Sequence, residues 1–107
     1  MPIKYRVRIT KTAEDDFKEI WTFIADDSVE VANGFVLQFE KHIKTLELFP
    51  ERCPLIPENE ILGTKYRHLM HGGYRAIIHI SGKTVYILRI VHGSRLLDSS
   101  MFERTLH

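Results

Sequence analysis

The run His92-Gly93-Ser94-Arg95, taken with Arg75 upstream, holds residue types that could cleave RNA by attack of its own 2′-hydroxyl. That reaction needs a base for the hydroxyl proton, cations for the charge that builds around phosphorus, and an acid for the leaving oxygen. An imidazole titrating near pH 6.5 suits the proton steps, and guanidinium groups bind phosphate oxygens in pairs while keeping their charge. The same side chains are also ordinary surface groups, solvated or salt-bridged, or contacts for an anionic partner without chemistry. Metal chelation fits less well. His68 and His71 stand three apart, which on a strand places them on opposite faces, so they cannot share an ion with His79 or His92 unless the segment turns. Cys53 carries no local signature of a Cys-His nucleophile, and Gly72-Gly73 reads as a hairpin turn rather than a phosphate cradle. No metal and no cofactor is expected.

These residues must be positioned by a small set of elements. Ile3, Tyr5, Val7 and Ile9 alternate with Lys4, Arg6, Arg8 and Thr10, which predicts a first strand with one buried and one cationic face. Thr10 or Thr12 then caps a helix whose first turn carries Glu14, Asp15 and Asp16, where the helix dipole favours acids. Its apolar stripe is Ala13, Phe17, Ile20, Trp21 and Ile24, and the polar break Asp26-Asp27-Ser28 ends it. A second amphipathic helix is predicted from about Val29 to Leu48, and the short link favours an antiparallel pair. Three prolines between Pro50 and Gly63 predict an irregular surface loop, with Cys53 exposed or half-buried in it.

The remainder reads as three strands, Lys65 to His71, Tyr74 to Ile80 and Thr84 to Val91, joined by tight turns into an antiparallel meander. The first strand must join this sheet, since its buried face needs partners. The fold class is therefore α+β: two helices on one face of a four-stranded sheet, the other face left to solvent or a partner. Arg75, Ile77 and His79 point to that outer face, and whether Arg75 stands beside Leu88 or Arg89 depends on the turn length. Ser100-Met-Phe-Glu103 offers a capping box for a last short helix.

Composition narrows the class of protein. The 107 residues allow one domain, 1–107, with a modest core that needs no disulfide, in keeping with the single cysteine. No apolar run approaches a membrane span and the start lacks a secretory signal, so a cytoplasmic location is expected. Charge is uneven: residues 1–60 carry eight Lys and Arg against twelve Asp and Glu, and residues 61–107 carry seven against two, together with five of the six histidines. The second stretch is a potential anion-binding surface.

Tyr66-Arg67-His68-Leu69, Gly73-Tyr74-Arg75-Ala76-Ile77-Ile78 and the run Val85 to Arg95 together resemble the RelE/ParE superfamily of toxins from type II toxin-antitoxin systems. The opening strand, Thr10 to Asp16, Glu19-Ile20-Trp21, Ala32 and Leu46 to Pro50 extend the resemblance over nearly the whole chain. It implies a small sheet with a helical hairpin on one side. It also implies one of two activities. RelE-type members are ribosome-dependent messenger-RNA endoribonucleases. Here Arg75 matches their arginine after a tyrosine, Arg95 the arginine after the last strand, and His92 supplies a base. Tyr66 and His68 stand where two lysines of such enzymes fall, and Met101 or Phe102 where a late tyrosine would be. ParE-type members lack that catalytic set and are implied to poison DNA gyrase without chemistry. The Arg67 phase, the Leu-Phe-Pro helix end and the His92 to Arg95 turn resemble this branch more. Under it, Arg67, His68, Arg75, His92 and Arg95 would bind the target. Either branch implies a cognate antitoxin as partner and a role in plasmid stabilisation.

Overall fold

A computed structural model describes residues 3–102. The chain runs β1 (Arg6–Ile9), α1 (Lys11–Ala25), α2 (Val29–Lys44), α3 (Asn59–Leu62), β2 (Arg67–His71), β3 (Tyr74–Ser81) and β4 (Thr84–His92), with 3-10 turns at Thr45–Glu47, Pro50–Arg52 and Ser99–Phe102. The four strands form one sheet in the order β1-β4-β3-β2, with β1 parallel to β4 and the meander antiparallel. The α+β class and the helical hairpin on one face stand as expected.

The helices start where their capping chemistry dictates. Thr10, not Thr12, caps α1: its hydroxyl accepts from the Ala13 N–H at 3.1 Å and donates to the Ile87 carbonyl at 2.8 Å, so one side chain joins helix and sheet. Ser28 caps α2 through the Val31 N–H. Ala13, Phe17, Ile20, Phe39, Ile43 and Leu46 then pack against Leu69, Ala76, Ile78, Val85, Ile87 and Ile90, with Phe17 edge-on to Phe39 at 5.3 Å. Trp21 departs from the expected stripe. It lies at the surface, where its indole N–H donates to Asn33 Oδ1 at 2.8 Å and ties α1 to α2. The second helix is shorter than expected, ending at Lys44 before a tighter 3-10 turn.

The outer face of the sheet is the main correction. It is not left open: Ile77, Leu88 and Val91 are buried beneath Ile56, Leu97, Met101 and Phe102, a second apolar cluster supplied by the proline-rich loop and the segment after β4. The loop is correspondingly ordered, containing the Pro50–Arg52 turn and α3, and Cys53 within it is buried at 3% exposure. Buried apolar groups on the sheet supplied the driving force that prolines do not oppose, since proline forbids regular ladders but not packed turns.

Register follows from the turns. Gly82 and Lys83 form a two-residue link between the paired Ser81 and Thr84, and a bulge then sets Ile77 opposite Arg89 while Ile78 faces Ile87. Arg75 consequently stands opposite Val91, beside neither Leu88 nor Arg89. β2 begins at Arg67 rather than Lys65, and β3 and β4 each run one residue further than predicted, to Ser81 and His92. The last segment forms a 3-10 turn over Ser99–Phe102, with the Asp98 side chain accepting from the Ser100 N–H at 3.0 Å; Glu103 of the expected capping box lies outside the described residues.

The β2–β3 hairpin turns on Gly72 and Gly73, both at positive φ (49° and 84°). A Cβ on Gly72 would stand 3.0 Å from the Phe35 ring. Gly72→Ala is therefore expected to cost about 1–2 kcal/mol from the left-handed backbone and the contact together, read as a lower chemical-denaturation midpoint at unchanged slope.

Candidate functional site

Arg75 is the centre of the candidate site, and it is buried at 4% exposure. Its outward direction from β3 carries it under the loop, where Nη2 forms an ion pair with Glu58 Oε2 and Nη1 lies 3.3 Å from Oε1. Nη2 also donates to the Arg95 carbonyl at 2.9 Å, and Nη1 lies 3.1 Å from His68 Nδ1. The guanidinium thus fastens three segments: the loop through Glu58, β2 through His68 and the turn after β4 through Arg95. Arginine suits such a node because its planar fork presents donors in several directions at once. Arg75 also holds the Glu58 carboxyl below the usual carboxylate range, through its hydrogen bond first.

The other predicted site residues are dispersed. Arg95 meets Arg75 only through its backbone, with its side chain exposed. Arg67 Nη1 donates to the Glu51 and Cys53 carbonyls, at 3.0 and 2.6 Å, and pins the loop to the start of β2. His92 pairs with Tyr74 across the sheet, the rings 5.5 Å apart, and so lies on the helix side while Arg75 lies on the outer side. Its Nδ1 accepts from the Ser94 N–H at 3.3 Å and lies 2.8 Å from Ser94 Oγ. Base, phosphate-binding cation and second cation are therefore not assembled around one point. His68 and His71 also diverge, as expected for strand neighbours three apart. No group of three or more His, Cys, Asp or Glu side chains able to hold a metal occurs among the described residues.

Two features escaped the sequence reading. Glu58, a lone acid in a proline-rich loop, gave no signal that it would be buried against an arginine. His42 of α2 and His71 of β2 meet with their Nδ1 atoms 3.0 Å apart, His71 stacked on Phe39 at 4.5 Å; twenty-nine residues separate them, and neither belongs to a motif. One of these nitrogens must carry the proton and the other accept it.

Burial pushes the His71 imidazole below its ordinary pKa, with His42 adding to the effect, and burial and then Arg75 do the same to His68. A histidine whose folded pKa is depressed favours unfolding as soon as the unfolded chain begins to protonate. Stability is accordingly expected to fall as the pH drops from 7 through about 6.5 and below, down to the folded pKa values. Carboxylates are still ionised in this window, so His42→Gln/His71→Gln is expected to flatten the slope of thermal midpoint against pH.

No helix of the described residues is long and apolar enough to cross a membrane. Comparison with known proteins gives a consistent assignment. The family described as "ParE toxin of type II toxin-antitoxin system, parDE" matches residues 7–97. No curated protein matches the chain. A chain of the chromosomal ParDE toxin-antitoxin system from P. aeruginosa is 22% identical with a TM-score of 0.66, over 83% of this chain and 96% of that one. A chain of the toxin-antitoxin complex RelBE2 from Mycobacterium tuberculosis is 30% identical with a TM-score of 0.52, over 84% and 99%. With a family match over most of its length and a fold shared with both neighbours, the chain belongs to the ParE toxin family of type II toxin-antitoxin systems, within the RelE/ParE superfamily.

Proposed function

We propose that this toxin arrests growth by poisoning DNA gyrase, trapping the cleaved DNA complex without chemistry of its own, and that a cognate antitoxin neutralises it. The observation that carries this reading is the separation of His92 from Arg75 on opposite faces of the sheet, with the Arg75 guanidinium engaged by Glu58. A ribonuclease needs its base and its phosphate-binding cation on one scissile group. A gyrase poison needs only a stable binding surface, to which the exposed Arg95 and His92 contribute. The antitoxin is supported by the neighbouring chains, which come from toxin-antitoxin assemblies. The outer edge of β1, and that of β2 beyond the Leu55 and Pro54 contacts at its start, give an extended antitoxin segment backbone groups to pair with. The cytoplasm, where gyrase works, is the matching compartment, and plasmid stabilisation the matching role.

The test is to incubate the purified protein with gyrase, supercoiled plasmid and ATP, then stop with detergent and protease. Linear DNA that depends on the protein is the expected result. Its absence, with gyrase active in a control, overturns the reading and directs the next assay to ribosome-dependent messenger cleavage.

A further inference from the structure

The two layers of this fold carry opposite charge. Residues 3–10 and 65–92, which hold all four strands and the hairpin turns, contain eight Lys and Arg and no Asp or Glu, whereas the helical pair at 11–44 contains eight Asp and Glu against four Lys. Much of the sheet's charge is spent internally. Arg67 is held by loop carbonyls, Arg75 by Glu58 and Arg89 by Asp16. Of the five cations left over, four gather at one edge, while Lys65 precedes β2 at the other. Arg6 and Arg8 are exposed on the outer side of β1, and neither has an ion-pair partner among the described residues. Lys4 continues the row and meets Glu47 only at 3.9 Å. Lys83 adjoins it, because the Arg6 N–H donates to the Lys83 carbonyl at 2.8 Å.

We propose that this edge, Lys4, Arg6 and Arg8 with Lys83, binds the phosphodiester backbone of duplex DNA directly, independently of gyrase. The argument is charge complementarity with geometry. Alternate residues of a strand repeat at roughly 6.6 Å, so the row spans roughly 13 Å. One DNA strand advances roughly 3.4 Å per phosphate, so that length covers about four phosphates. Arg8 lies beside Tyr86, its cross-strand partner, which gives the row an apolar flank that limits competing solvation. The acidic helical layer lies on the other side of the sheet and repels the same polyanion, which orients the protein with β1 towards DNA. The contact carries no base readout, so binding is expected to be indifferent to sequence. The choice of DNA over RNA rests on the gyrase reading; the cationic edge does not.

The experiment measures anisotropy of a short fluorescent DNA duplex with the protein alone, over a range of low salt concentrations. Four phosphate contacts predict a slope of log affinity against log salt of about −3.6, and Arg6→Gln/Arg8→Gln is expected to reduce its magnitude by about 1.8 and to weaken binding about tenfold or more. Lys18→Gln/Lys44→Gln removes the same charge from the helical layer and is expected to leave binding nearly unchanged. All four positions compared are exposed, and matching thermal midpoints would verify folding. Equal losses from both double variants, or none from the β1 pair, would overturn the proposal and leave the row as a guard against strand addition. Tighter binding of an RNA duplex of equal length would overturn the choice of DNA. Gyrase is absent throughout, so the outcome is separate from that of the cleavage assay.

Discussion

Arg75→Ala is expected to destabilise the protein by about 3–5 kcal/mol, because it strands the Glu58 carboxylate, 7% exposed, without its partner. For a chain of this length that is a drop of roughly 15–20 °C in thermal midpoint. Much of the cost comes from the orphaned charge rather than from the attraction lost. The double variant Arg75→Met/Glu58→Leu, which removes both charges and refills the space, is therefore expected to recover most of the loss. The comparison also bears on function. Loss of toxicity in Arg75→Ala alone would follow from undocking of the loop and would say nothing about catalysis. The double variant separates the two causes. Buried against Glu58, Arg75 is not available for the target contact expected of it, so a gyrase poison keeps its toxicity when the guanidinium is gone and the loop stays down, whereas a ribonuclease using Arg75 loses it. Acid should imitate the single variant. The Glu58 carboxyl is held below its ordinary pKa, so its contribution is present above about pH 4.5 and is lost as the pH falls through the folded value.

The helical pair and the meander were legible because each rests on a local period. The stripe of Ala13, Phe17 and Ile20, the alternation along β1 and the tight turns at Gly72-Gly73 and Gly82 each declare an element without knowledge of the rest. What covers the outer face was not legible, since Ile56, Leu97 and Phe102 are buried only once the loop and the segment after β4 converge on Ile77 and Leu88. The bulge was equally hidden. It shifts the alternation of β4, so Ile87 and Ile90 both face the helices although they are three apart, and every register argument beyond Leu88 changes with it. The site suffered most from this. Arg75 was correctly placed on the outer side, yet a cation there looked free because nothing local showed that Glu58 would reach it. Unbroken alternation along β4 would have put His92 on the same face as Arg75, and it is the bulge that sends it to the other one.

Asp16→Ala is expected to cost about 3–5 kcal/mol as well, from a residue that the sequence presents as one of three interchangeable acids in a first helical turn. Glu14 and Asp15 are exposed, and among the described residues the Asp15 side chain bonds only Lys11, at 2.7 Å. Asp16 is buried, and its carboxylate accepts from Arg89 Nε at 2.8 Å, Arg89 Nη2 at 2.9 Å and the Ile90 N–H at 2.9 Å. The last contact explains the position. β1 ends at Ile9, opposite Ile87, so β4 continues past it with an unpaired edge; Thr10 takes the Ile87 carbonyl and Asp16 takes the Ile90 N–H, and α1 thereby finishes the work of the strand. Arg89 extends the link through Nη1 to the Met101 carbonyl, so one carboxylate connects helix, sheet and terminal turn. Asp16→Asn keeps an acceptor for the Ile90 N–H but loses the charge that offsets Arg89, and is expected to cost about half as much. Glu14→Ala and Asp15→Ala are expected to stay within about 0.5 kcal/mol, the usual range for exposed positions. Urea unfolding of the four variants reads the order directly, and Asp16→Ala indistinguishable from Asp15→Ala would show that the carboxylate neither caps β4 nor holds Arg89.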